Sequence, residues 1–96
     1  DDVWLRNANH ANLMAARLSE TICQVPGVEL AFPTQSNEVF VTMNLDLIEK
    51  LRNQGVEIND EELDGKAVRF VVAWNTPSDE IDRFAETVLA CAKENI

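Results

Sequence analysis

From Asp2 to about Gln24 neither glycine nor proline interrupts the chain, and Trp4, Ala8, Ala11, Ala15, Leu18 and Ile22 recur at steps of three and four residues. That spacing lines one face of an α-helix. Pro26-Gly27 stops it, because proline breaks the hydrogen-bond ladder and glycine frees the backbone, while Asp1 and Asp2 stand at the positive end of the helix dipole. A helix in water draws most of its stability from packing of its apolar face, so this stripe demands a partner layer. Its alanines suit close approach of that partner.

The rest of the chain supplies one. After a short segment at residues 28–31 and the punctuation of Pro33, Glu38-Val39-Phe40-Val41-Thr42-Met43 is β-branched and aromatic enough for a largely buried strand. Asn44 then offers an N-cap, Leu45, Ile48 and Leu51 take helical spacing, and Gly55 sits where a left-handed C-terminal residue belongs. Val56-Glu57-Ile58 alternates as a brief strand, an acidic loop turns at Gly65, and Lys66 to Trp74 forms the most strand-like run. Thr76-Pro77-Ser78-Asp79 matches a capping pattern with proline at the first helical position, and Ile81, Phe84, Ala85, Val88, Leu89 and Ala92 define the apolar face that follows. The order α-β-α-β-β-α predicts an α+β fold: a small, mostly antiparallel three-stranded sheet covered by helices.

At 96 residues, 46% hydrophobic and 26% charged, residues 1–96 are expected to form one globular domain with a real core and modest stability. No apolar run approaches the roughly 20 residues of a membrane span. A net charge of -9 repels polyanions, so neither nucleic acid nor an anionic membrane is an expected partner. Glu57, Asp60, Glu61, Glu62 and Asp64 read as a solvated loop and lack the ligand spacing of a calcium-binding hand. Cys23 and Cys91 are too few for a disulfide framework and have no CxxC or neighbouring histidine, which predicts free thiols and no metal site. The opening Asp1-Asp2-Val3-Trp4 has no initiator methionine, basic segment or apolar leader, as expected of a piece of a longer, cytoplasmic protein.

Arg69 breaks its local pattern. It stands in the middle of Ala67-Val68-Arg69-Phe70-Val71-Val72-Ala73-Trp74, on the face that carries Ala67, Val71 and Ala73. A guanidinium there must be paired, exposed on a sheet face or edge, or aimed at a ligand anion, because burying it alone is prohibitive. His10, the single histidine, stands among Asn7, Asn9 and Asn12 on one helix, and one helical turn cannot assemble a nucleophile, base and orienting carboxylate. It reads as a surface or interface residue. Trp4 and Trp74 are expected to pack the core or cover an interface. Glycines 27, 55 and 65 are isolated, so no phosphate loop exists.

Three stretches carry a resemblance: Trp4-Leu5-Arg6-Asn7-Ala8-Asn9-His10-Ala11-Asn12, Ser36-Asn37-Glu38-Val39-Phe40-Val41, and Ala67 through Trp74 with Asn75-Thr76. Along nearly its whole length the chain resembles the C-terminal small domain of the L-threonine aldolase and β-eliminating lyase family, among the fold type I enzymes dependent on pyridoxal phosphate. The resemblance implies that Arg69 grips the α-carboxylate of an amino-acid substrate. Phe70 departs from the family's usual leucine, and Val72-Ala73 from a more polar pair. It also implies that pyridoxal 5'-phosphate is held by a large domain lying upstream, so that this chain holds no cofactor, contributes no catalytic residue and alone cleaves nothing. Lys50, Lys66 and Lys93 match no cofactor-lysine motif of the family. The expected partners are that large domain and a second copy through the first helix. The rival expectation is a free-standing, non-catalytic α+β module that binds an amino acid or a protein partner, with a purely structural dimerisation unit behind it.

Overall fold

The computed structural model describes residues 2–62 and 67–93, and for residues 59–62 the backbone alone. Its elements are α1 (Asp2–Ile22), β1 (Glu29–Leu30), β2 (Glu38–Thr42), α2 (Leu45–Asn53), β3 (Asn59–Glu62), β4 (Ala67–Val71) and α3 (Ser78–Lys93). The expected order stands, with the two-residue β1 added from the segment at 28–31. The sheet runs β1-β2-β4-β3, and every pair is antiparallel.

Register sorts the two faces of the sheet. Val39 lies opposite Phe70 and Val41 opposite Val68, and all four are buried beneath the helices. Phe70 meets Phe84 of α3 edge-on, with ring centroids 5.2 Å apart. Ala15, Leu18 and Ile22 of α1, with Leu47, Ile48 and Leu51 of α2 and Ile81 and Val88 of α3, complete one core on that side. Because strand side chains alternate, Phe40 and Arg69, which are cross-strand partners, share the opposite face. Phe32 packs edge-on against Phe40 there, at 5.5 Å.

Four local expectations are corrected. Val56-Glu57-Ile58 is not a strand. The Val56 N–H is drawn back to the Leu51 carbonyl at 3.0 Å, and pairing starts only where Asn59 comes opposite Arg69. Asp60, Glu61 and Glu62 accordingly lie on β3 rather than in a loop, at an edge of the described sheet. Asp64, the Gly65 turn and Lys66 lie outside the described residues. The α1 stripe is buried only from Ala11 onward, because an open groove separates the start of the helix from the end of β4; Trp4 is 66% exposed. Leu45 is likewise exposed, and Leu47 takes its expected place in the core.

Capping is local and follows the sequence at α2. The Asn44 side chain accepts from the Leu47 N–H at 2.8 Å, and Gly55 adopts φ +90°, a left-handed conformation that a side chain would strain. At α3 the Pro77 carbonyl accepts from the N–H groups of Glu80 and Ile81, so Pro77 caps the helix and Thr76 stands outside it.

Between the two long helices, Arg17 donates from Nε and Nη2 to both carboxylate oxygens of Asp82, at 2.9 and 2.7 Å. The Arg17 hydrogen bond is the main cause holding the Asp82 carboxyl below the usual carboxylate range. A pKa depressed by folding contributes stability above its unfolded value, about 3.9, and loses it as pH falls through the lower folded value. Both side chains are partly exposed, so the contribution is small and screened by salt. Asp82→Asn is therefore expected to lower the urea midpoint at neutral pH and low salt, with the gap to wild type closing at strongly acidic pH. A gap that ignores pH would show that the pair contributes nothing through ionisation.

Candidate functional site

Arg69 is half-buried on β4, with Phe40 of β2 on one side and Asn59 of β3 on the other. The edge position that the sequence left open is thereby removed. Its Nε has essentially no contact with solvent, while Val71, two residues along the same face, is 59% exposed. The arginine thus stands where a covered stretch of sheet gives way to an uncovered one.

A cavity of about 530 Å³ opens at this transition, between the segment entering β3 and the start of α3. Arg69, Glu57, Thr76 and Glu80 give it polar groups, and Phe70 and Ile81 are among its apolar walls. Arg69 is the one cationic side chain among the described residues lining it. A planar guanidinium on a rigid strand presents parallel donors to a carboxylate, whereas a flexible ammonium would meet it as a point charge.

The segment from β4 to α3 is held at both ends. Val72 donates its N–H to the Asn37 carbonyl at 2.8 Å and accepts from Asn37 Nδ2 at 3.1 Å. At the far end His10 Nε2 donates to the Thr76 carbonyl at 2.8 Å, a contact between residues 66 positions apart. His10, read as a surface or interface residue, is half-buried where α1 meets the segment before α3, and nothing in the sequence brought Asn37, Thr76, Glu57 or Glu80 to this region. Thr76 and Glu80 carry no local signal beyond helix capping, and a carbonyl's distant partner leaves no trace in spacing.

The tryptophans do not reach the core. Trp4 and Trp74, 66% and 59% exposed, flank a shallow groove between the start of α1 and the end of β4. Cys23 and Cys91 are free, and burial is the chief cause raising the Cys23 thiol above its ordinary value. Among the described residues no three acidic, histidine or cysteine side chains converge as a metal site would require. No helix among them is long and apolar enough to cross a membrane.

No family model matches the chain. A low specificity L-threonine aldolase of Pseudomonas sp. is 39% identical over 90 residues, covering 94% of this chain and 26% of that protein. The protein of the same description from Pseudomonas aeruginosa is 39% identical over 88 residues, 92% of this chain and 25% of its own length. Among solved structures, Leishmania major threonine aldolase superposes with a TM-score of 0.69 at 29% identity, over 86% of this chain and 25% of that one. Oryza sativa TDC, crystallised with PLP and tryptamine, reaches 0.79 at 15% identity, over 92% and 23%. The fold is therefore one found within fold type I enzymes dependent on pyridoxal phosphate. Within that class the chain is similar to L-threonine aldolases along 94% of its length, and it spans about a quarter of the length of the relatives it matches.

The described lining of the cavity at Arg69 does not fit that cofactor. No lysine lines the cavity at Arg69 to meet an aldehyde carbon, and Glu57 and Glu80 would repel a phosphate dianion. What this chain presents there is a half-buried arginine in a mainly apolar wall.

Proposed function

We propose that the chain is the C-terminal small domain of a longer threonine aldolase-like lyase and that Arg69 binds the α-carboxylate of its substrate. The observation that carries this reading is the match to L-threonine aldolases along 94% of the chain. The reaction of the whole protein would be retro-aldol cleavage of a β-hydroxy-α-amino acid to glycine and an aldehyde, with pyridoxal phosphate, held by the remainder of the protein, as electron sink. This chain's part is to bind and orient. The half-buried Arg69 fixes one end of the substrate from a strand that cannot drift, and the apolar walls around it keep competing water away from that ion pair. The uncovered apolar residues Val71, Trp74 and Trp4 support a fragment reading, since they would be shielded by a neighbouring domain or a second copy.

The test is to express the full-length protein from its source alongside residues 1–96. The longer protein is expected to release glycine and an aldehyde from L-threonine when supplied with pyridoxal phosphate, and the isolated chain to release neither. A full-length protein inert toward every β-hydroxy-α-amino acid would overturn the reading. One observation favours the rival module: Glu57 and Glu80 share the cavity with Arg69, a charge arrangement that suits a free zwitterionic amino acid. Calorimetric binding of an amino acid by the isolated chain, with no longer native protein, would select it.

A further inference from the structure

We infer that His10 is a positioning residue for the Arg69 site, acting through the carbonyl of Thr76. The inference rests on the reading of Arg69 as the carboxylate grip.

The geometry of the cavity carries it. Arg69 forms one wall from β4, and Thr76 and Glu80 line it from the segment that leaves β4 and begins α3. How well a gripped substrate is aligned therefore depends on where that segment lies relative to the arginine. Asn37 fastens its β4 end through Val72, but the chain then passes through exposed residues 73–75 before reaching Thr76. Because Pro77 caps α3, the Thr76 carbonyl is left outside the helical ladder, and the His10 imidazole takes it at 2.8 Å. A carbonyl oxygen only accepts, so Nε2 carries the hydrogen in this contact. About two turns further along α1, the Arg17–Asp82 pair ties the same helix to α3. Ile81 at the start of α3 packs into the core that Leu18 and Ile22 of α1 share, and of the two polar ties to α1, His10 is the one that reaches the segment before α3 and the wall of the cavity. On the His10 face of α1, Met14 packs against the core one turn further on, while residues 8, 9, 12 and 13 are exposed, so His10 is the side chain that fixes the Thr76 carbonyl itself.

The test uses the full-length protein and the variants His10→Ala, His10→Gln, Arg69→Ala and the double alanine variant. A glutamine side-chain amide can donate from about the position of Nε2, and alanine cannot. His10→Ala is expected to raise KM for the β-hydroxy-α-amino acid roughly three- to tenfold with kcat changed less than twofold, the range one hydrogen bond spans. His10→Gln is expected to restore KM. In the Arg69→Ala background the further loss in kcat/KM on removing His10 should shrink toward none, because no gripped carboxylate remains to be aligned. If Arg69→Ala raises KM while His10→Ala lowers only the unfolding temperature, or if His10→Gln fails to restore KM, the positioning role is overturned and the carboxylate reading stands. If Arg69→Ala itself leaves KM unchanged, the carboxylate reading fails and this inference fails with it.

Discussion

Arg69→Ala in the full-length protein is expected to raise KM for the amino-acid substrate by about 30-fold or more, corresponding to roughly 2 to 3 kcal/mol. The size follows from what is lost. A guanidinium–carboxylate pair makes two parallel charge-assisted hydrogen bonds, and in a mainly apolar cavity the abandoned carboxylate would keep neither them nor its water. Arg69→Lys should recover only part of the loss, since an ammonium supplies charge without the fork. Arg69 points away from the core face formed by Val68, Phe70 and Val72, so the unfolding temperature should change far less than KM. Steady-state kinetics with varied amino acid, beside a thermal melt, separates the two effects. A wild-type KM in Arg69→Ala would remove the arginine from the site.

Leu51→Ala is expected to cost the fold about 3 kcal/mol and to lower the midpoint of thermal unfolding by on the order of 15 °C. Leu51 is fully buried and lies on a nine-residue helix, too short to hold itself by backbone hydrogen bonds alone. Leu47, Ile48 and Leu51 are the anchors that keep α2 on the core. The truncation leaves a cavity among residues that α1, α2 and the sheet share, in a domain whose total stability is of order 5 to 15 kcal/mol. The Leu51 carbonyl also receives the Val56 N–H, so loosening α2 disturbs the segment carrying Glu57 to the cavity at Arg69. Circular dichroism on the purified protein reads the shift directly. A change of only a few degrees would mean that α2 is not part of the cooperative core.

Features that depend on neighbours a few residues apart were legible in advance. Helical spacing located α1, α2 and α3, β-branched runs located β2 and β4, Asn44 announced its cap, and Gly55 its positive φ. The charged break at Arg69 was visible because a guanidinium in an apolar strand contradicts its surroundings whatever the fold. What the residues alone left open was which alternative Arg69 realises. The structure removes the sheet edge, because β4 lies between β2 and β3, with β2 about thirty residues away in sequence.

By itself, then, the sequence determined the order of the elements, most of the apolar positions that turn inward and the charged break at Arg69, because periodicity, capping and charge act through the nearest few residues. The tertiary structure alone decided that Trp4 and Trp74 stay outside the core, that Asp60 to Glu62 join a strand, and that His10 reaches the carbonyl of Thr76 beside the Arg69 cavity. Those outcomes depend on how far one layer extends over another and on which distant backbone groups are left to be satisfied when the layers close. Such conditions exist only once the chain is packed.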